Sequence, residues 1–304
     1  MKVTRLRAGL GAIICVSACA GLTQMQDTAA KFDQGVHAAT TAELSLFIQV
    51  QAAECSRNFY SKGFDFATAQ PDPKTGKFPL EPTLDLRPSA CIHYELDDSQ
   101  LAIRRKLLAA ITLYADAIQT LTNGTSDTNL GASAKTLAGD IKALGAQQKF
   151  TTVEGTGAAA LNSAVVIIAT MIIDHSSYKH VKDAAAAMSE ALSTIVNELE
   201  AENSADAVGL SSKADGLVNE MRTGLSAARD RYGPASFLDI VSAKIAIRSL
   251  IITPPNIAQL NETLDAVVKA NEALARSTNG GAIPEISNLI SRAQQASTLF
   301  NSFR

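Results

Sequence analysis

The chain has 304 residues and a formal net charge of −3, so it carries no electrostatic footprint for nucleic acid or for an anionic lipid surface. Hydrophobic residues make up 46%, but there is no Trp and only 5% are aromatic, which excludes an aromatic core and calls for an aliphatic, Ala-rich one. Ala and Leu favour helix, which points to helices packed at close range, in one large domain or two small ones.

In chain order, the first segment holds Lys2, Arg5 and Arg7 with no acid, and an apolar run follows from Ala8 to Val16. That run is too short for an ordinary transmembrane helix, which needs about 20 residues. A basic segment ahead of a short apolar one reads as a secretory signal. It ends in Val16-Ser17-Ala18-Cys19. These four residues resemble the lipobox of bacterial lipoproteins, in which an aliphatic and two small residues precede the lipidated cysteine; Val16 stands where Leu is commoner. The resemblance covers only residues 1–19. It implies cleavage of a signal peptide over 1–18, a diacylglyceryl thioether on Cys19 and a further acyl chain such as palmitate. More than one chain is what stable anchoring takes. Ala20, where Asp would retain the protein in the inner membrane, implies the outer membrane, with the domain facing the periplasm. The alternative is an ordinary cleaved signal beside an incidental cysteine. Without residues 1–18 the formal charge falls from −3 to −6.

Residues 19–27 read as a short lipidated tether, and the helical domain is expected over 28–304. From Thr28 to Tyr60 there is no Pro, and Leu44, Phe47, Ile48, Gln51 and Cys55 follow helical spacing. Residues 61–98 hold Pro71, Pro73, Pro79, Pro82 and Pro88, which exclude a long helix and predict a loop insertion. In an oxidising envelope, Cys55 and Cys91 are expected to form a disulfide that clips this loop. The ring of about 35 residues would stabilise by roughly 3–4 kcal/mol. Two buried free thiols are the alternative.

From Ser99 the pattern is helical again, with Leu107, Ile111, Tyr114, Ile118 and Leu121 on one face and a stop at Asn123-Gly124. A shorter helix is expected over 132–147. Another begins near Gly155 and runs towards Leu199, its later stripe being Val181, Ala185, Met188, Leu192, Ile195 and Leu199. Further helices are expected over 204–231 and 237–251. Asn256 then caps a helix carrying Leu260, Leu264, Val267 and Leu274. Pro284 opens the last one, with Ile286, Ile290, Ala293 and Phe300 on its inner face. The expected fold is all-α, an antiparallel helical bundle of about seven helices with one long Pro-rich loop. There is no repeat and no dividing linker.

Chemistry-bearing motifs are sparse. His175 and His180 are five residues apart, which does not place both rings on one helix face. His93 lies near Glu95, Asp97 and Asp98, a grouping more typical of a solvated turn, and His37 is isolated in the sequence. Ser176-Ser177-Tyr178-Lys179 matches the Ser-x-x-Lys pattern of penicillin-binding proteins, but Lys74-Thr75-Gly76 lies upstream rather than downstream, and nothing of that kind follows Ser277-Thr278-Asn279. Gly131 to Thr136 lacks the Gly a phosphate loop needs before its Lys135. Asp116, Asp140, Glu190, Glu198 and Glu200 stand singly on helices. No catalytic residue, metal or cofactor is expected.

The sequence therefore reads as a lipid-anchored, non-enzymatic envelope protein with a structural or protein-interaction role. It attaches to the membrane through Cys19, binds an envelope protein of unknown identity and does not bind nucleic acid; the oligomeric state is open. An enzyme whose site is assembled from distant carboxylates or histidines, such as His93 or His175, is one alternative reading, and two others stay open. One is a membrane-active protein that inserts Ala158–Ile173, a run about four residues short of a comfortable span. The other is an immunity or inhibitor lipoprotein.

Overall fold

Met25, Ala29, Phe32, Val36 and Ala39 recur at steps of four and three, and all five are buried along the first helix. The computed structural model describes residues 23–51, 72–75, 96, 98–123, 178–204, 216, 219, 223, 254–277 and 284–301. These residues form five helices and no strand: α1 (23–51), α2 (Asp98–Asn123), α3 (Tyr178–Asn203), α4 (Pro254–Arg276) and α5 (Pro284–Asn301). The described part of the chain is thus all-α. None of its helices is long and apolar enough to cross a membrane. The signal region, Cys19, Cys55, Cys91, nearly all of the Pro-rich segment, the helices expected over 132–147, 204–231 and 237–251, and the part before residue 178 of the helix expected from near Gly155 towards Leu199, with the run 158–173, lie outside the described residues, apart from residue 204 and isolated helical positions at 216, 219 and 223.

The helix starts follow from local chemistry. α1 begins by residue 23, ahead of the expected Thr28, so the tether expected over 19–27 is helical from 23 onward. The reason is Met25, which extends the apolar stripe by one turn, and Gln26, whose side-chain amide donates to the Thr122 carbonyl at 3.1 Å. α4 begins at Pro254, so Asn256 lies inside the helix rather than capping it. Proline is tolerated in a first turn, where amide donors have no intrahelical partner. Pro284 opens α5 in the same way, followed by Glu285, an acid at the positive end of the helix dipole. Exposed pairs one turn apart (Asp27 with Lys31, Asp265 with Lys269, Glu272 with Arg276) add a few tenths of a kcal/mol each.

The residues cluster into two compact units, divided at positions 41/42, 105/106, 199/200, 261/262 and 297/298, each division falling within a helix. In the first unit, α1 and α2 run antiparallel. Gln26 meets Thr122, and Thr40 Oγ1 lies 3.1 Å from Thr112 Oγ1, so the contacts descend along α2 as they ascend along α1. Phe32 meets Tyr114 edge to face, the ring centres 6.0 Å apart. Val181, Ala185, Met188, Leu192, Ile195 and Leu199 are all buried, as their spacing predicts. On α5 the buried line is Ile286, Leu289, Ala293 and Ala296; Leu289 rather than Ile290 takes the inner position. Leu289 is drawn in by Gly35: a Cβ at that glycine would fall 2.7 Å from Leu289 Cγ, so α5 occupies the space that a side chain on α1 would fill.

The second unit holds the end of α1. Here Leu46, Phe47 and Val50 are buried while Ile48 is 39% exposed, so the inner face is rotated from the expected Leu44–Phe47–Ile48–Gln51 line. Gln51 is buried all the same, and its amide donates to the carbonyl of the buried Leu96 at 3.2 Å. Residues 72–75 form a turn in which Asp72 Oδ1 accepts the Lys74 amide at 2.7 Å.

Candidate functional site

Three polar clusters join helices among the described residues, the first half-exposed and the other two centred on buried side chains. In the first unit, Asp33 and His37 are four apart on α1, which stacks them one turn above the other. The antiparallel packing brings Asp116 of α2 to the same place. His37 Nε2 lies 2.8 Å from Asp116 Oδ1 and 3.5 Å from Asp33 Oδ1. A protonated Nε2 has a single hydrogen to donate, and Asp116 Oδ1 is the nearer acceptor. Asp33 Oδ1 is left buried without a hydrogen bond, at ion-pair distance from the ring. The Asp33 side chain is 15% exposed, against 48% for His37 and 38% for Asp116. Burial pushes the Asp33 carboxyl up to about 6; His37 pulls it down, and Asp116 pushes it further up. His37, isolated in the sequence, is not isolated in the fold: a carboxylate 79 positions away reaches it. One nitrogen and two carboxylates, with donor atoms all within 4.8 Å of one another, form a set able to hold a cation.

The second cluster lies in the other unit. Glu43 is fully buried on the same stripe as Leu46 and Val50. Its Oε1 accepts from Asn203 Nδ2 at 2.9 Å, and the same amide nitrogen lies 3.2 Å from Asn261 Oδ1. Oε2 has no hydrogen-bond partner. Burial drives the Glu43 carboxyl up to about 8; Asn203 and Arg104 oppose the rise, while Glu202 and Glu200 add to it. Nearby, Arg104 pairs with Glu202, donates to the Gln100 carbonyl at 3.0 Å and lies over the Phe47 ring at 5.4 Å.

The third cluster joins α2, α3 and α4 in the first unit. The Tyr114 hydroxyl donates to Asn271 Oδ1, and Asn271 Nδ2 donates to the Ala185 carbonyl at 3.0 Å and lies 3.1 Å from Ser189 Oγ. Tyr114 and Asn271 are buried, and burial raises the phenol far above its ordinary value. Every polar atom of Asn271 is engaged, which suits a register pin rather than a reacting group.

Of the residues singled out in the sequence, Cys19, Cys55, Cys91, His93 and His175 lie outside the described residues, and so does the His180 side chain. Sequence reading missed Glu43, Asn203 and Asn271. A signal existed for each. Glu43 falls four after Ala39 and three before Leu46, Asn203 four after Leu199, and Asn271 four after Val267 and three before Leu274. Each is a polar residue at a stripe position. Comparison with protein-family models, with curated proteins and with solved structures finds no match to this chain.

Proposed function

We propose that the protein is a lipoprotein of the bacterial envelope, anchored through lipid on Cys19 to the outer membrane and facing the periplasm, with a non-enzymatic structural or protein-interaction role. The observation that carries this reading is Val16-Ser17-Ala18-Cys19 at the end of a basic and then apolar leader. The start of α1 supports it: helix begins by residue 23, four residues after Cys19, a stretch that spans at most about 14 Å. A domain so tethered works at the membrane surface and not at the end of a stalk. The polar groups of Asn271 and Tyr114 are used up in holding helices to one another, which favours a scaffold over a reaction centre. The partner surface assigned is the Pro-rich segment 61–98, clipped by a Cys55–Cys91 disulfide.

The test is the intact mass of the protein taken from the membranes of its native host. The expected mass is that of residues 19–304 plus lipid, rising by about 2 Da on reduction as one disulfide opens. An unlipidated mass sinks the anchor. Deletion of Pro71–Pro88 should abolish recovery of the envelope partner on co-purification; undiminished recovery removes the loop from the interface.

A further inference from the structure

We propose that Asp33, His37 and Asp116 bind one divalent transition-metal ion, which ties α1 to α2 in the first unit. The sequence alone led to the opposite expectation, because no ligand spacing links position 116 to the other two.

The donor set is matched to such an ion. A neutral imidazole and two carboxylates carry a charge of about −2 where a dication would sit. One nitrogen with oxygen donors suits ions of borderline softness such as Zn²⁺; Ca²⁺ and Mg²⁺ take oxygen shells. The separations fit as well. In a tetrahedral shell with bonds of about 2.05 Å, donor atoms lie about 3.4 Å apart. His37 Nε2 and Asp33 Oδ1 are already 3.5 Å apart. His37 Nε2 and Asp116 Oδ1, at 2.8 Å, must open by about 0.6 Å, which two half-exposed side chains can do by small torsions. The i, i+4 placement of Asp33 and His37 puts two ligands on one helix face, and the Gln26–Thr122 and Thr40–Thr112 contacts hold the third ligand's helix in register.

An ordinary ion-pair cluster accounts for these residues less well. The Asp33 carboxyl shares a hydrogen bond with Asp116, yet its Oδ1 stays buried with none. A metal ion supplies the missing partner to that oxygen and to the other two donors together. Three protein ligands leave a position for water, as in exchangeable sites and unlike the closed four-ligand structural ones.

The test is equilibrium dialysis of the full-length chain, stripped with chelator, against Zn²⁺ alone, in parallel with His37→Ala and Asp116→Asn. Metal bound by the cysteines or by the other three histidines cancels in the comparison. The wild type should hold one equivalent more than either variant at low micromolar Zn²⁺. At that site the variants should bind at least about tenfold more weakly, since loss even of outer-shell partners has effects of this size. Zn²⁺ should also raise the melting temperature of the wild type more than that of Asp116→Asn, which keeps the side-chain shape should His37→Ala fold poorly. Equal stoichiometry and affinity across the three proteins, or an equal thermal shift, overturns the proposal.

Discussion

Replacing Glu43 with Gln should remove a pH dependence from the stability of this protein. The carboxyl is fully buried, and its folded-state value is raised from 4.5 to about 8. Below 4.5 both folded and unfolded chains hold the proton, and the group makes no difference between them. From there up to about 8 the unfolded chain gives up a proton that folded Glu43 keeps, so stability falls as pH rises. The slope is about 1.4 kcal/mol per pH unit, which amounts to about 3 kcal/mol by pH 7. Above about 8 the folded group ionises too, and the loss levels off. Gln preserves the shape and the oxygen that accepts from Asn203, while its amide nitrogen takes the place of Oε2, which has no partner. That substitution adds a desolvation cost of about 1–3 kcal/mol, but a pH-independent one. The informative quantity is therefore the slope. Urea unfolding of both proteins at about pH 5, 6, 7 and 8 should show the difference, Glu43→Gln minus wild type, growing by about 1.4 kcal/mol per unit in favour of the variant. Parallel curves for the two proteins would refute the reasoning, because a buried carboxyl held protonated must leave that slope.

Other substitutions test the packing. Gly35→Ala gains helix propensity of about 1 kcal/mol but drives a methyl to 2.7 Å from Leu289 Cγ; overpacking costs about 1–3 kcal/mol, so a net loss of about 1 kcal/mol is expected in thermal unfolding, and a stabilised variant would mean α5 yields freely. Tyr114→Phe keeps the edge-to-face contact with Phe32 but strips the hydroxyl from Asn271 Oδ1, for an expected loss of about 1–3 kcal/mol in urea; no loss would place the hydroxyl outside the network. Ile48→Gln, on an exposed position of α1, should change stability by less than about 0.5 kcal/mol, whereas Phe47→Ala should cost about 3–5 kcal/mol; comparable effects would put the inner face of α1 back at the line read from the sequence.

Helix existence was legible wherever a long stripe repeats at steps of three and four, as from Leu107 to Leu121 or from Val181 to Leu199, because burial of one face against neighbours is encoded by spacing alone. Helix starts were less legible. Met25 looked like part of a polar tether since its neighbours are Gln24, Gln26 and Asp27, and only packing reveals that a single buried side chain adds a turn. The inner face of α1 departs from the spacing near Ile48, because a charged Glu43 gives no local sign that it turns inward with Leu46 and Val50. Its burial depends on Asn203, 160 positions away.

The sequence by itself determined the helical character of the described chain and the residues that line most of its apolar faces, since both follow from periodicity and propensity over neighbouring positions. The tertiary structure alone decided which polar residues meet. Asp116 joins Asp33 and His37, Asn203 joins Glu43, and Asn271 joins Tyr114, all across separations of 79 positions or more. Periodicity says which face of a helix turns inward. It carries no information on which helix lies opposite or at what height, and chemistry between side chains depends on both.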